Sequence, residues 1–368
     1  MRLEFVYTDA LVRALLEIER YKTALDYLPL PTRERQRLMY EAKLKKTHFS
    51  TSIEGNVLSY NQVEKVVSKK TDENRLGAEQ EVMNYWDALT YLEEEAKKKT
   101  PITLSFILSL HDIIIKKGAL KKIPFRSPTP AGMLFAVYDS STREAEYIPP
   151  EAKDVEPLLK ELISWFGSHE ALPAPVLSAI ISYAFVSIHP FDDGNGRTAR
   201  ALATYVLMLY SYDLKGLNSF EEYYMSDLDG YYSSLQMGLP ALFYDGRENP
   251  PHLEIWIEYF CRIMALNAEK IYEQASELCK TSASPLIEGL NKKDLTLLRY
   301  CLEKQKSSIK AKELSELFAV SPRAISKWAE EWMKKGLLSP SSGDKRITSY
   351  CLGEKYRSLK LEELGFIE

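Results

Sequence analysis

Within "SIHPFDDGNGRTAR", Ser187 to Arg200, the chain gathers a histidine, two acids, two glycines, an asparagine and two arginines between two apolar runs. Pro190 disfavours helix at the residue before it and has no backbone N–H, so the helix over "APVLSAIISYAFVSI" should stop near His189. A second helix should begin near Asn195 to Arg197 and bury Leu202, Val206 and Leu209. Between them lies a helix–loop–helix turn whose glycines let the backbone curl tightly. Its N–H groups point into the space before a helix N-terminus, where open donors and the helix dipole both favour an anion. Arg197 and Arg200, three apart, reach the same side of that helix, and two guanidiniums beside an amide cradle suit a polyphosphate better than one carboxylate. Asp193 offers a hard oxygen of the kind Mg²⁺ takes when phosphates and water complete its shell. His189, at the loop's entrance, is suited to proton transfer near neutral pH. Phe191 should plug into the core and fix the loop. Base, metal ligand, anion cradle and paired cations in one turn describe phosphoryl or nucleotidyl transfer. No P-loop, HExxH or Rossmann glycine pattern competes with that reading.

The elements that must position this turn are mostly helical. "DALVRALLEIERYKTAL" places Leu11, Ala14, Leu15 and Ile18 on one face. After "LPLP" at Leu28 to Pro31, "RERQRLMYEAKLKKTHFS" repeats the pattern with Leu38, Met39, Ala42 and Phe49. "AEQEVMNYWDALTYLEEEAKKK" is a third helix, with Glu93–Lys97, Glu94–Lys98 and Glu95–Lys99 spaced for exposed ion pairs. Between Ile123 and Pro150, two β-prone runs, Met133 to Tyr138 and Ala145 to Ile148, flank a Ser/Thr-rich turn and predict a small hairpin. Helical pattern returns from Asp154 to about Leu278. The organisation expected is an N-terminal helical region over 1–100, a core over 101–240, a helical extension over 241–280, a linker over 281–290 and a C-terminal module over 291–368.

That module is distinct in charge. Asn291 to Lys360 holds 16 Lys and Arg against 8 Asp and Glu, whereas residues 1–290 hold 32 against 41. It reads as helix, tight turn, helix and hairpin, with Leu314, Leu317 and Phe318 inward and Ser321 capping a helix that opens on Pro322. Ile325, Trp328, Ala329 and Trp332 would form the buried stripe of that helix. The pattern resembles a winged helix-turn-helix, with Arg323, Ser326 and Lys327 on the recognition helix and Lys345 and Arg346 at the wing tip. Two uses are open for it: DNA contact, or protein docking and homodimer formation. Apolar runs such as "ALATYVLMLY" are too short to span a bilayer, and the N-terminus is a poor secretory signal. Cys261, Cys279, Cys301 and Cys351 are far apart and form no CxxC pair. A cytoplasmic protein without a membrane partner is the expectation.

"HPFDDGNGR" resembles the Fic-family motif HPFx[D/E]GN[G/K]R without departure, and Arg200 fits its extension. The resemblance in helical layout covers about Ala78 to Leu235. It implies a mainly α Fic (Fido) core with a β-hairpin flap and transfer of AMP from ATP to a Ser, Thr or Tyr hydroxyl of a target protein, itself included. By that likeness His189 is the base and Asp193 holds Mg²⁺ against the α- and β-phosphates. Gly194, Asn195 and Gly196 cradle phosphate, and Arg197 and Arg200 neutralise the β- and γ-phosphates. Glycine at 196, where kinases of the fold carry lysine, favours nucleotidyl transfer. The hairpin around Leu134 to Ile148 resembles the flap that pins a target backbone by strand addition. Tyr231 and Tyr232 in "GYYSSL" resemble the tyrosine pair near the adenine, or are two core tyrosines.

Upstream, "FSTSIEGN" reads as a helix end with Gly55 and Asn56 as cap residues. Glu54 there faces the negative end of the dipole and should have a cation partner. Ser50 to Gly55 resemble the family's inhibitory [S/T]xxxE[G/N] motif. The likeness implies that Glu54 pairs with Arg200, takes γ-phosphate space and restrains transfer. A linked hypothesis, motivated by the glutamate near the phosphates, is removal of AMP by the same site with Glu54 positioning water. The alternative is a DNA-binding regulator whose Fic site is degenerate or only senses nucleotide.

Overall fold

The computed structural model of the chain describes residues 1–69, 77–115, 125–130, 133, 135–138, 145–281, 285–304, 308–341, 347 and 349–364. They fall into two compact units, Met1–Asp26 with Leu38–Ile271, and Tyr27–Arg37 with Tyr272–Glu368. Leu134, the turn at 139–144 and the tip residues Lys345 and Arg346 lie outside the described residues.

In chain order the helices of the first part are α1 (Asp9–Tyr27), α2 (Thr32–Ile53), α3 (Tyr60–Ser68), α4 (Ala78–Lys98) and α5 (Leu104–Ile115). A short antiparallel pair follows, β1 (Val137–Tyr138) and β2 (Ala145–Tyr147), with Val137 opposite Tyr147. Ile148, at the end of the second β-prone run, forms a parallel bridge with Leu242. Then come α6 (Ala152–Ser168), α7 (Ala174–Ile188), α8 (Asn195–Leu209), α9 (Glu221–Ser226), α10 (Leu228–Gln236) and α11 (Glu254–Thr281). The expected stop at His189 and start at Asn195 are the observed ones.

The central packing is α7 against α8, with α4 and α5 on α8 and α6 on α7. α7 is apolar on every face and buried from Ala174 to Phe185, as a helix surrounded by others must be. Ser178 Oγ donates to the Ala203 carbonyl (2.8 Å) and Trp256 Nε1 to the Ala179 carbonyl (2.7 Å), which ties α8 and α11 to α7. α1 buries Leu11, Ala14 and Ile18 as its spacing predicts. α2 follows its expected stripe only in part, with Ala42 inside and Leu38 and Phe49 half-buried. Met39 is exposed, while Ala42, Leu44, Lys46, Thr47, Ser50 and Thr51 are buried. Helix hydroxyls can go inside when they bond back to the preceding turn. Thr47 Oγ1 donates to the Lys43 carbonyl (2.8 Å) and Thr51 Oγ1 to the Thr47 carbonyl (2.9 Å). In the charge run at the end of α4, ion pairs join Lys98 to Glu95 (2.7 Å) and Glu93 to Lys43 of α2 (2.9 Å), rather than following the expected four-residue spacing.

The C-terminal part contains α12 (Lys292–Lys304), β3 (Ile309–Lys310), α13 (Ala311–Leu317), α14 (Pro322–Lys334), β4 (Leu338–Pro340) and β5 (Ser349–Leu352). The strands form one antiparallel sheet in the order β3-β5-β4. Ser321 caps α14 by accepting from the Ala324 N–H (3.3 Å), and Pro322 is its first residue, as read from the sequence. Ile325, Ala329 and Trp332 are buried, and Trp328 and Phe318 pack at their edge. Asp294 is fully buried and accepts from Trp332 Nε1 (2.9 Å) and from Lys335. Asp294→Ala would strand the indole N–H and should cost about 2 kcal/mol in urea unfolding. A loss below about 0.5 kcal/mol, the range of an ordinary surface change, would contradict that role.

Candidate active site

The loop between α7 and α8 is held from three sides. Phe191 is fully buried, as expected, and stacks face to face on His111 of α5 with ring centres 3.5 Å apart. His111 Nε2 donates to the Asp193 carbonyl (2.9 Å), which fixes the neutral tautomer, and burial lowers its pKa. Asn195 closes the loop on itself. Its Oδ1 accepts from the Phe191 N–H (3.0 Å) and its Nδ2 donates to the Phe191 carbonyl (2.8 Å), so its side chain is committed to the loop backbone. Gly194 stands at φ +80°, where a Cβ would also run into Ile115.

His189 occupies the left-handed region at φ +49°, an uncommon place for a non-glycine residue. Arg126, buried, holds it there. The Arg126 Nε donates to the His189 carbonyl (2.8 Å), its N–H to the Pro190 carbonyl (2.9 Å), and its Nη2 to the Pro150 carbonyl beyond β2. Tyr147 of β2 donates to the Ser187 carbonyl, so the hairpin's base is tied to the end of α7. The His189 Nδ1 faces the Val186 carbonyl (3.3 Å), which can only accept, so Nδ1 carries the proton and Nε2 keeps a free lone pair. Burial pushes its pKa down to about 4, against the Val186 contact that favours the charged form.

The end of α2 supplies the opposing charge. Past Ile53 the Gly55 N–H closes on the Ser52 carbonyl (2.9 Å) and the Asn56 N–H on the Thr51 carbonyl (3.1 Å), with Gly55 at φ +91°. That is the paired closure a left-handed glycine allows at a helix end. Glu54 is thereby set at the negative end of the helix, and its cation partner is Arg200. Arg200 Nη2 donates to Glu54 Oε1 and to the Ser50 carbonyl, and Nε donates to Ser50 Oγ, each at 2.8 Å. The Ser50 carbonyl belongs to the last turn, where no intrahelical N–H is available. Arg200 is 3% exposed and sits in the first turns of α8. A Cβ on Gly196 would collide with Glu54 Oε1, so the carboxylate lies directly over the start of α8.

Arg197 is occupied as well. Its Nη1 donates to Glu81 of α4 and its Nη2 to Asp193 Oδ1 (2.9 Å), while its buried Nε has no partner. Tyr231 is buried and lies against Arg200 and Glu54, and burial first of all raises its pKa. Its neighbour Tyr232 is exposed with a ring centre 5.1 Å away. The cavity bounded by Arg200, Tyr231 and Trp256 measures about 10 Å³, room for one water and not for a nucleobase. Among the described residues no cluster of three or more His, Cys, Asp or Glu side chains could hold a metal. The one carboxylate the sequence offered for a metal, Asp193, is half-exposed and shared with Arg197.

The site residues read from the sequence therefore converge: Ser50, Glu54, Gly196, Arg200 and Tyr231 on one side, Asp193 and Arg197 beside them, and His189 at the loop's mouth. Glu81, Asn56 as a ligand of Glu81, His111 and Arg126 were not read from it. A lone histidine in "FILSLHDIII" and an acid in the first turn of a helix are visible signals, but neither names its partner.

Residues 101–207 match the profile of the Fic/DOC family. A protein adenylyltransferase Fic of Drosophila virilis is 28% identical over 207 residues, covering 54% of this chain and 40% of the fly protein. That of Nematostella vectensis is 26% identical over 197 residues, covering 52% and 44%. The chain thus spans about four-tenths of the length of these relatives. Among solved structures, a Fic family protein from Desulfovibrio desulfuricans G20 aligns over 95% of this chain and 98% of its own, with a TM-score of 0.59 at 19% identity. Fic-1 from C. elegans aligns over 74% of each chain with a TM-score of 0.55 at 20% identity. Those likenesses are of fold. Residues 101–207 thus match the Fic/DOC profile, within a mainly helical scaffold whose fold solved Fic-family proteins share.

Proposed function

We propose that the chain is a protein adenylyltransferase that moves AMP from ATP to a Ser, Thr or Tyr hydroxyl of a protein, and that Glu54 restrains it. The observation that carries this reading is the Glu54 carboxylate itself, an internal anion bonded to Arg200 over the first residues of α8. An anion site that already holds a carboxylate is one that a phosphate can claim. The name borne by the curated relatives supports the same reaction.

His189 Nε2 takes the proton of the incoming hydroxyl. The hydroxyl oxygen bonds to the α-phosphorus while the bond from that phosphorus to the bridging oxygen breaks, releasing pyrophosphate. Arg197 and Arg200, once free of their carboxylates, neutralise the charge that collects on the leaving phosphates. The α8 N-terminus supplies further N–H donors. Asp193 is the residue that would hold Mg²⁺, which neutralises phosphate charge when bound; one protein carboxylate with phosphates and water is a donor set this ion accepts. Tyr232, exposed beside Tyr231, offers a face for the base outside the filled cavity. The hairpin β1–β2, anchored to the end of α7, would receive a target strand, of another protein or of this chain. Glu54, with a water, would let the same site remove AMP.

A second use of the C-terminal module, read as a winged helix, rests on Arg323, Ser326 and Lys327, which are all exposed on α14. DNA contact through them would fall steeply with salt. A gel shift of the full chain at two salt concentrations checks it, and no shift at low salt leaves docking or dimer formation as the module's use.

Incubated with labelled ATP, Mg²⁺ and lysate, Glu54→Gly should label proteins at least about tenfold more than wild type, within the range of one regulatory coupling. Equal labelling would overturn the restraint. His189→Ala in that background should lose about 100-fold or more. Because the active imidazole is neutral and its pKa is depressed, activity is full above the ordinary histidine range and is lost only as pH falls toward about 4. The Glu54→Gly rate should therefore stay level from pH 8 to 6; half-loss near 6.5 would contradict the buried base.

A further inference from the structure

The turn at the end of α2 holds Arg200 directly and reaches Arg197 through Glu81. Asn56, two residues past Glu54, is anchored at both ends of its side chain. Its Oδ1 accepts from the Leu58 N–H (3.1 Å), and its Nδ2 donates to Glu81 Oε2 (2.6 Å) and to the Ala78 carbonyl (3.0 Å). The other Glu81 oxygen takes Arg197 Nη1, and Asp193 takes Nη2. Two guanidiniums are thus matched by three carboxylates, Glu54, Glu81 and Asp193, an excess of negative charge in a site meant for a polyphosphate. In this arrangement Arg197 is spent on Glu81 and Asp193, and Asp193 is shared with it.

Resting on the adenylyltransferase reading above, we infer that Glu81 is a second restraining carboxylate, which keeps Arg197 and Asp193 from the nucleotide and is coupled through Asn56 to the turn that carries Glu54. A movement of residues 53–56 releases both arginines together.

The test is calorimetric titration of full-length variants with ATP, with and without Mg²⁺. Glu81→Gln, nearly isosteric, should bind Mg²⁺-ATP at least about fivefold more tightly than wild type. Asn56→Ala, which keeps both carboxylates, should show part of that gain. In a Glu54→Gly background the further gain from Glu81→Gln should shrink, because the turn is already released. A Glu81→Gln protein that melts like wild type yet binds ATP no more tightly overturns the inference, as do gains that add in full. If Glu81→Gln does not fold, the Asn56→Ala comparison decides alone, and unchanged affinity overturns it. Failure of Glu54→Gly to bind ATP at all would remove the functional reading and this inference together. Binding by Glu54→Gly without any Glu81 effect removes only the inference.

Discussion

A guanidinium enclosed in a helical core needs an anion. Arg200 has almost no contact with water, and burial alone would work against its charge. Glu54 and the open carbonyl of Ser50 satisfy it. The geometry around it follows from that requirement. α2 must end where its last carbonyls reach α8, its C-terminal half must carry small hydroxyl residues to lie inside, and position 196 must have no side chain. Without the internal anion the buried guanidinium would keep only the uncharged oxygens of Ser50 and would call for another anion.

The loop was legible because its signals are local. Pro190 stops α7, Gly194 and Gly196 permit the curl, and Phe191 is the one large apolar residue in a polar turn; each acts on its immediate neighbours. Gly55 closing α2 and Ser321 capping α14 were readable for the same reason. The supports that were missed act across the chain. Arg197 meets Glu81 116 residues away, His111 meets Asp193 across 82, and Arg126 meets His189 across 63. No spacing rule encodes such pairs. The buried face of α2 was misread for a different reason, because hydrophobic periodicity weighs Met39 above Thr47 and Ser50, whereas the cation on α8 determines which face goes inside.

The strained backbone at His189 belongs with this design. A left-handed histidine persists only where its neighbours over-determine it. Here the Arg126 side chain and the hairpin base both grip the peptide bonds around it. The hairpin that would receive a target and the imidazole that would accept its proton therefore share one set of anchors.

The central claim is that the Glu54 carboxylate stands where a phosphate belongs. Crystals of the Glu54→Gly variant grown with Mg²⁺-ATP address it directly. The account predicts a phosphate oxygen within hydrogen-bond distance of Arg200 Nη2, in the volume that Glu54 Oε1 fills here. Phosphates bound elsewhere, with the Arg200 guanidinium untouched by any of them, would contradict it.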